Sequence, residues 1–259
     1  NMLKLPLEDA RFTTDYCLNS STLKDENKRN DILNWVTGLT SQIDGIYLII
    51  EHNGDDKQIK DYNVLLETLK FIHILRENDL EVHVGYCNTE GLLYSVADPS
   101  SITMGSYENL RNFGVKRFEE SDNSTMRGPK ARLYISKLFQ WVSHEYFPSM
   151  QDLYSRFDTL IDKSPYIDEC FDLGYEWHFT KKGPYLHYFD VYSKQVKALA
   201  DIKDMYQRIK VLKEQVNDAL HTFATIEASG IRLNPNSDGS HLNHWYSVLT
   251  MFEKHLEND

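Results

Sequence analysis

The sequence predicts an α/β fold in two parts: a partial (half) TIM-barrel-like parallel sheet of strand-helix units over residues 1–148, and an appended, mainly helical region over residues 149–259. Three observations predict it. Short apolar runs alternate with segments of helical periodicity, the pattern of parallel strands joined by right-handed crossovers. About four such units fit before Phe118, whereas a closed eight-unit barrel takes roughly 250 residues. From Met150 onward the apolar spacing becomes mostly helical. An open sheet, complete in itself, is the alternative architecture for the same alternation.

The elements follow in order. MLKLPL, at residues 2–7, reads as a strand that could open the sheet, and Ile32, Leu33, Trp35, Val36 and Leu39 give the next helix its apolar face. GIYLIIEH, at 45–52, is the clearest strand, a continuous apolar run of the kind buried on both faces. Tyr62, Leu65, Leu66, Leu69 and Ile72 mark a helix face. LEVHVGY at 80–86, TEGLLYSVAD at 89–98 and SITMGS at 101–106 then read as strand, helix and strand. EESDNSTMRGPK, at 119–130, is a polar loop punctuated by Gly-Pro, and ARLYISKLFQWVSHEYF, at 131–147, is expected to supply one short strand followed by a helix. Further on, Met205, Ile209, Leu212, Val216, Ala219, Phe223 and Ile226 keep helical spacing, with Gly230 placed as the stop. PNSDGS is a turn, and HLNHWYSVLTMFEKHL closes the chain as an amphipathic helix.

Composition narrows the function classes. A hydrophobic content of 41% suffices for a core, so disorder is not the default. The net charge of -11 weighs against phosphate backbones as partners, although a local basic patch can sit on an acidic protein. Cys17, Cys87 and Cys170 are an odd set without a CxxC pair, which argues against a disulfide framework and a four-thiolate zinc site and fits a reducing cytoplasm. No stretch approaches the ~18 apolar residues of a membrane span, and no signal peptide opens the chain, so a cytoplasmic protein with no membrane partner is expected. The Asn1-Met2 start fits an added residue ahead of an initiator or internal Met, which leaves room for a fragment of a longer protein. No GxGxxG, phosphate-binding Lys loop or Gly-x-Ser-x-Gly elbow is present, and no cofactor is indicated.

GYCNTEGLLYSVAD resembles the strand-and-helix segment of the tRNA-guanine transglycosylases, the queuine and archaeosine tRNA-ribosyltransferases, in which a Gly-rich strand end precedes Thr-x-Glu-x-Leu-Leu and a Val-Ala pair. IDGIYLIIEH, DEC and GPYLHYFDVYSKQVKAL are similar to further segments of that family in the correct order, so the resemblance covers roughly residues 43–199. It implies a barrel whose strand ends bind a nucleobase or nucleic acid, tRNA or DNA, and exchange a base at an N-glycosidic bond. Where the family's strand ends in a nucleophilic Asp, this chain has SITMGSYENLR, with no Asp; Glu108 is the nearest substitute carboxylate. Cys170 and His187 match at most two of the family's zinc ligands, so metal is not expected.

Strand ends also nominate residues independently of the family, because parallel α/β sites form there. Glu51 thereby joins Glu108, which the resemblance supplies, as a candidate catalytic carboxylate; His52, Tyr86, Asn88, Ser106, Tyr107 and Arg111 are candidate substrate-binding residues. Arg127, Lys130 and Arg132 are the most concentrated positive feature and a candidate phosphate grip. Each has a plainer reading: Glu51 and His52 as polar residues leaving a strand, Glu108 as a solvated residue opening a helix, and the basic residues as loop solubility. The alternative function is a non-catalytic scaffold whose sheet pairs with a missing N-terminal half-barrel, a second copy in a homodimer, or another subunit.

Overall fold

The computed structural model describes residues 13–52, 57–118 and 129–258. Strands β1 (Thr13–Asn19), β2 (Gly45–Glu51), β3 (Glu81–Cys87) and β4 (Ser101–Met104) form one parallel sheet in the order β1-β2-β3-β4. Helices α1 (Ser20–Lys24) and α2 (Glu26–Thr37) connect the first pair, α3 (Tyr62–Glu77) the second, and α4 (Gly91–Tyr94) with the turn Ser95–Ala97 the third. The starts are capped as their sequences dictate: the Asp25 carboxylate accepts from Lys28 N, and Asp61 accepts from Asn63 N and Val64 N.

Strands laid in sequential order, each joined by a right-handed crossover, place all their connections on one face. A doubly wound sheet would reverse its order at a switch point, and this sheet does not. Leu18, Ile46, Leu48, Ile50, Val82 and Val84 accordingly point to the main core, each at most 5% exposed. On the opposite face Thr13, Asp15 and Cys17 are exposed, and Tyr47 and Ile49 are half-buried.

The expected strand at 2–7 lies outside the described residues. The first described strand is instead TTDYCLN, whose alternation of exposed and covered positions lacks the apolar run that flags a strand buried on both faces. The stretch 131–147 requires a correction. It forms an antiparallel hairpin, β5 (Arg132–Ile135) and β6 (Gln140–Ser143), turning through Ser136–Leu138 with Phe139 in the left-handed region at φ 49°. Gln140 and Ser143 are buried at the two ends of β6, so their polarity disguised a strand.

The helical part comprises α5 (Phe147–Leu153), α6 (Phe157–Leu160), α7 (Gly183–Ala200), α8 (Met205–Ala228) and α9 (Ser240–Leu256). Gly230, at φ 88°, follows the end of α8, where a left-handed residue lets the chain turn away. Helix α9 lies against both α3 and α8 and sinks Trp245 and Phe252 into the main core. That core joins sheet residues to Tyr188 and Tyr192 of α7 and Ile209 of α8, so it crosses the position 148/149. A second, smaller core gathers Leu133 and Val142 of the hairpin with Phe147, Met150 and Phe157.

Gly85 holds the sheet together at one crowded point. A Cβ there would lie 2.6 Å from the Tyr47 ring, whose hydroxyl is 3.0 Å from Thr103 Oγ1 on β4. Gly85→Ala is expected to destabilise the protein by about 1–3 kcal/mol in urea denaturation, an overpacking cost. Combining it with Tyr47→Ala should recover at least ~0.5 kcal/mol relative to the sum of the single effects; strict additivity would contradict the contact.

Candidate functional site

The loops at the C-terminal ends of β2, β3 and β4 meet the hairpin and the start of α7 around a cleft of about 700 Å³. Its charge is opposite to that of the chain. Lys57, Lys60, Arg111, Lys130 and Arg132 line it, against Glu108 as the one carboxylate among the described lining residues. Tyr107, Trp141 and Tyr185 supply aromatic surface, with the Tyr107 and Tyr185 rings 5.2 Å apart.

Arg111 is the best-buried of the cations, 3% exposed. Its guanidinium carbon lies 3.9 Å from the centre of the Trp141 ring, a cation–π arrangement worth more when desolvated. Arg111 Nη1 donates to the Ser106 carbonyl at 3.3 Å, while Nε is buried without a hydrogen-bond partner among the described residues. Arg132 donates through Nη1 to the Asn236 carbonyl at 2.7 Å and places Nε 3.4 Å from Glu108 Oε1. Lys57 Nζ pairs with the other oxygen, Oε2, of Glu108.

These cations are held under strain. Burial lowers the pKa of Lys57, and the Arg132 and Arg111 charges lower it further, against the pull of Glu108. Burial likewise lowers the pKa of both Arg111 and Arg132. All three therefore bear a desolvation cost that one shared carboxylate offsets only in part.

The floor is rigid. Asn88 Nδ2 donates to the Lys57 carbonyl at 2.8 Å, and the Asn88 carbonyl accepts from Tyr192 Oη at 2.9 Å. Asn88 Oδ1 is buried with no hydrogen-bond partner among the described residues. Gln58 Nε2 donates to Thr89 Oγ1 and Gln140 Oε1, tying the β2 loop to β6.

The structure brings nine of the eleven nominated residues into two groups. Asn88, Tyr107, Glu108, Arg111, Lys130 and Arg132 come together in the cleft. Lys130 sits there with Nζ 2.7 Å from Glu145 Oε2. Glu51, His52 and Tyr86 gather instead around Phe113: Glu51 pairs with it in a parallel bridge, His52 N donates to its carbonyl at 2.7 Å, and the Tyr86 ring is 5.4 Å from its ring. Ser106 contributes its carbonyl to Arg111, and Arg127 lies outside the described residues. Lys57, Gln58, Trp141 and Tyr185 were not nominated. Extending the search from strand ends to whole strand-to-helix loops would have found Lys57 and Gln58; Trp141 sits on the unexpected strand β6, and nothing in its local pattern flags it.

His187 is fully buried, with Nδ1 2.9 Å from Ser164 Oγ and Nε2 3.2 Å from the Tyr134 carbonyl. Among the described residues, no group of three or more His, Cys, Asp or Glu is arranged to hold a metal ion, and no helix is long and apolar enough to cross a membrane. The chain has no significant match among protein-family models, curated proteins or solved structures.

Behind the cleft, Glu90 is 3% exposed; Oε1 accepts from Asn88 N at 2.9 Å and Oε2 has no hydrogen-bond partner among the described residues. Burial pushes its pKa up to about 7, with the Asn88 hydrogen bond and the Arg111 charge opposing. The folded state thus holds this proton more tightly than the unfolded chain. The contribution to stability is full below the ordinary carboxyl value of 4.5 and is lost as pH rises through about 7. Glu90→Gln is expected to be more stable than wild type at pH 8, by on the order of 3 kcal/mol, with the gap closing at acid pH. Thermal melts at the two pH values check this, and a gap independent of pH would contradict it.

Proposed function

We propose that the cleft binds a phosphorylated nucleoside, free or at the end of a nucleic acid such as tRNA or DNA, on a half-barrel scaffold of the tRNA-guanine transglycosylase kind. The observation that carries this reading is the gathering of Lys57, Arg111 and Arg132, partly or wholly buried and mutually repelling, in a chain of net charge -11. Such a cluster is stabilised by an anion with several acceptor oxygens. The aromatic surfaces of Tyr107, Trp141 and Tyr185 suit a planar base beside it. A cleft of about 700 Å³ is within the usual size for a small-molecule site. Sequential strand order with the crossovers on one face supports the half-barrel, since barrels are wound that way.

The reading is of recognition without base exchange through Glu108. A carboxylate engaged by Lys57 and Arg132 has its negative charge already satisfied, which makes it a weak nucleophile. Glu51, the other candidate, bridges to Phe113 and has Oε1 3.3 Å from Val115 N, away from the cleft cations.

Isothermal titration with guanosine monophosphate and guanosine tests the proposal. Tyr107→Ala should weaken both ligands by about tenfold, as loss of one base-stacking surface does. Lys57→Gln should weaken only the phosphorylated one. Absence of saturable binding by guanosine, adenosine or cytidine monophosphate and by a short single-stranded RNA would overturn it.

A second reading rests on the exposed face of the sheet, where Thr13, Asp15 and Cys17 present one side of an edge strand to solvent. Parallel sheets are ordinarily covered on both faces. A scaffold that pairs this face with a second copy is expected to sediment as a dimer, and Cys17→Arg should dissociate it. A wild-type monomer throughout the concentration range would contradict that reading.

A further inference from the structure

Resting on the nucleotide reading of the cleft, we propose that Lys57 and Arg132 are its phosphate subsite and that Glu108 is a built-in occupant, which a phosphate monoester displaces. The carboxylate of Glu108 uses both oxygens as a terminal phosphate would, one toward Lys57 Nζ and the other 3.4 Å from Arg132 Nε. The three groups come from separate parts of the chain: the loop after β2, the turn after β4, and the start of β5. No local constraint of neighbouring residues brings them together, so their convergence reflects the site.

The Arg132 side chain and the Lys57 backbone are anchored independently of Glu108. Asn88 holds the Lys57 backbone through its carbonyl, and Arg132 is fixed by Nη1 to the Asn236 carbonyl. Glu108, in contrast, rides on a three-residue turn, Glu108–Leu110, that has no side-chain cap and whose flanking Tyr107 and Leu110 are 45% and 44% exposed. The turn rests on Gly105, where a Cβ would come 2.2 Å from Leu110 Cβ, so its seat is set by backbone and apolar contact. Releasing the carboxylate therefore leaves Arg132 and the Lys57 backbone in place, with the Lys57 ammonium free to follow an incoming anion.

A phosphate entering beside Glu108 would meet a negative charge at contact distance; one entering in its place inherits both cations and brings a third oxygen toward Arg111. Displacement is the lower-energy course, because the departing carboxylate side chain is already 29% exposed and is rehydrated as it swings out. No covalent step is involved. The occupant lowers the affinity for weak or singly charged anions and spares the cations their mutual repulsion when the cleft is empty.

Titration of Glu108→Gln and Glu108→Ala against wild type, with guanosine monophosphate and separately with inorganic phosphate, tests the inference. Both variants are expected to bind guanosine monophosphate about fivefold more tightly, the scale of releasing one partly exposed ion pair, and guanosine no more tightly. Lys57→Gln combined with Glu108→Gln should lose the gain. Wild-type binding that is unchanged or weakened in both Glu108 variants would overturn the occupant and leave the nucleotide reading standing. Failure of wild type and both variants to bind any nucleotide would remove the reading on which the inference rests. Circular dichroism melts of each variant confirm that the proteins compared are folded.

Discussion

The parallel, sequential order of the four strands constrains everything else in this fold. Parallel pairing brings every strand's C-terminal end to one edge, and crossovers of one hand between sequential neighbours lie on one face. The cleft forms there because the loops after β2, β3 and β4 have nowhere else to go. The covered face becomes the main core, and the same constraint leaves Thr13, Asp15 and Cys17 on the other side in contact with solvent.

Electrostatics then gives the edge its character. The chain is acidic as a whole, yet the described residues lining the cleft include five cationic side chains and Glu108. Arg111 is stabilised by the Trp141 face and the Ser106 carbonyl, Arg132 by the Asn236 carbonyl and Glu108, and Lys57 by Glu108. None of these partners neutralises all three charges at once. Glu90, buried behind the floor and within the field of Arg111, adds a carboxyl whose pKa burial raises to about 7.

Much of the fold was legible because its signals are local. GIYLIIEH is an apolar run ending in Glu51 and His52 and became β2; the three-four spacing from Met205 gave α8, and Gly230 followed its end at positive φ. Strand β1 was not legible, since an edge strand with an exposed face carries only a weak alternation. The β5–β6 hairpin is not legible locally because Gln140 and Ser143 are polar yet buried, with Gln140 Nε2 donating to the Asp238 carbonyl and Ser143 N to Ser237 Oγ, in a loop about a hundred residues away. The cleft lining was half legible. Strand-end logic singled out Asn88, Tyr107 and Arg111, the resemblance Glu108, and charge concentration Lys130 and Arg132, all of which line the cleft, but Trp141 and Tyr185 arrive through long-range packing that no local pattern encodes.

The most direct test of the account is a crystal structure of the protein with guanosine monophosphate. The account requires phosphate oxygens within hydrogen-bonding distance of Lys57 Nζ and the Arg132 guanidinium, the base against Tyr107 or Tyr185, and the Glu108 carboxylate turned out of the cation pair. Nucleotide bound elsewhere, or bound in the cleft with Glu108 still bridging Lys57 and Arg132, would contradict it.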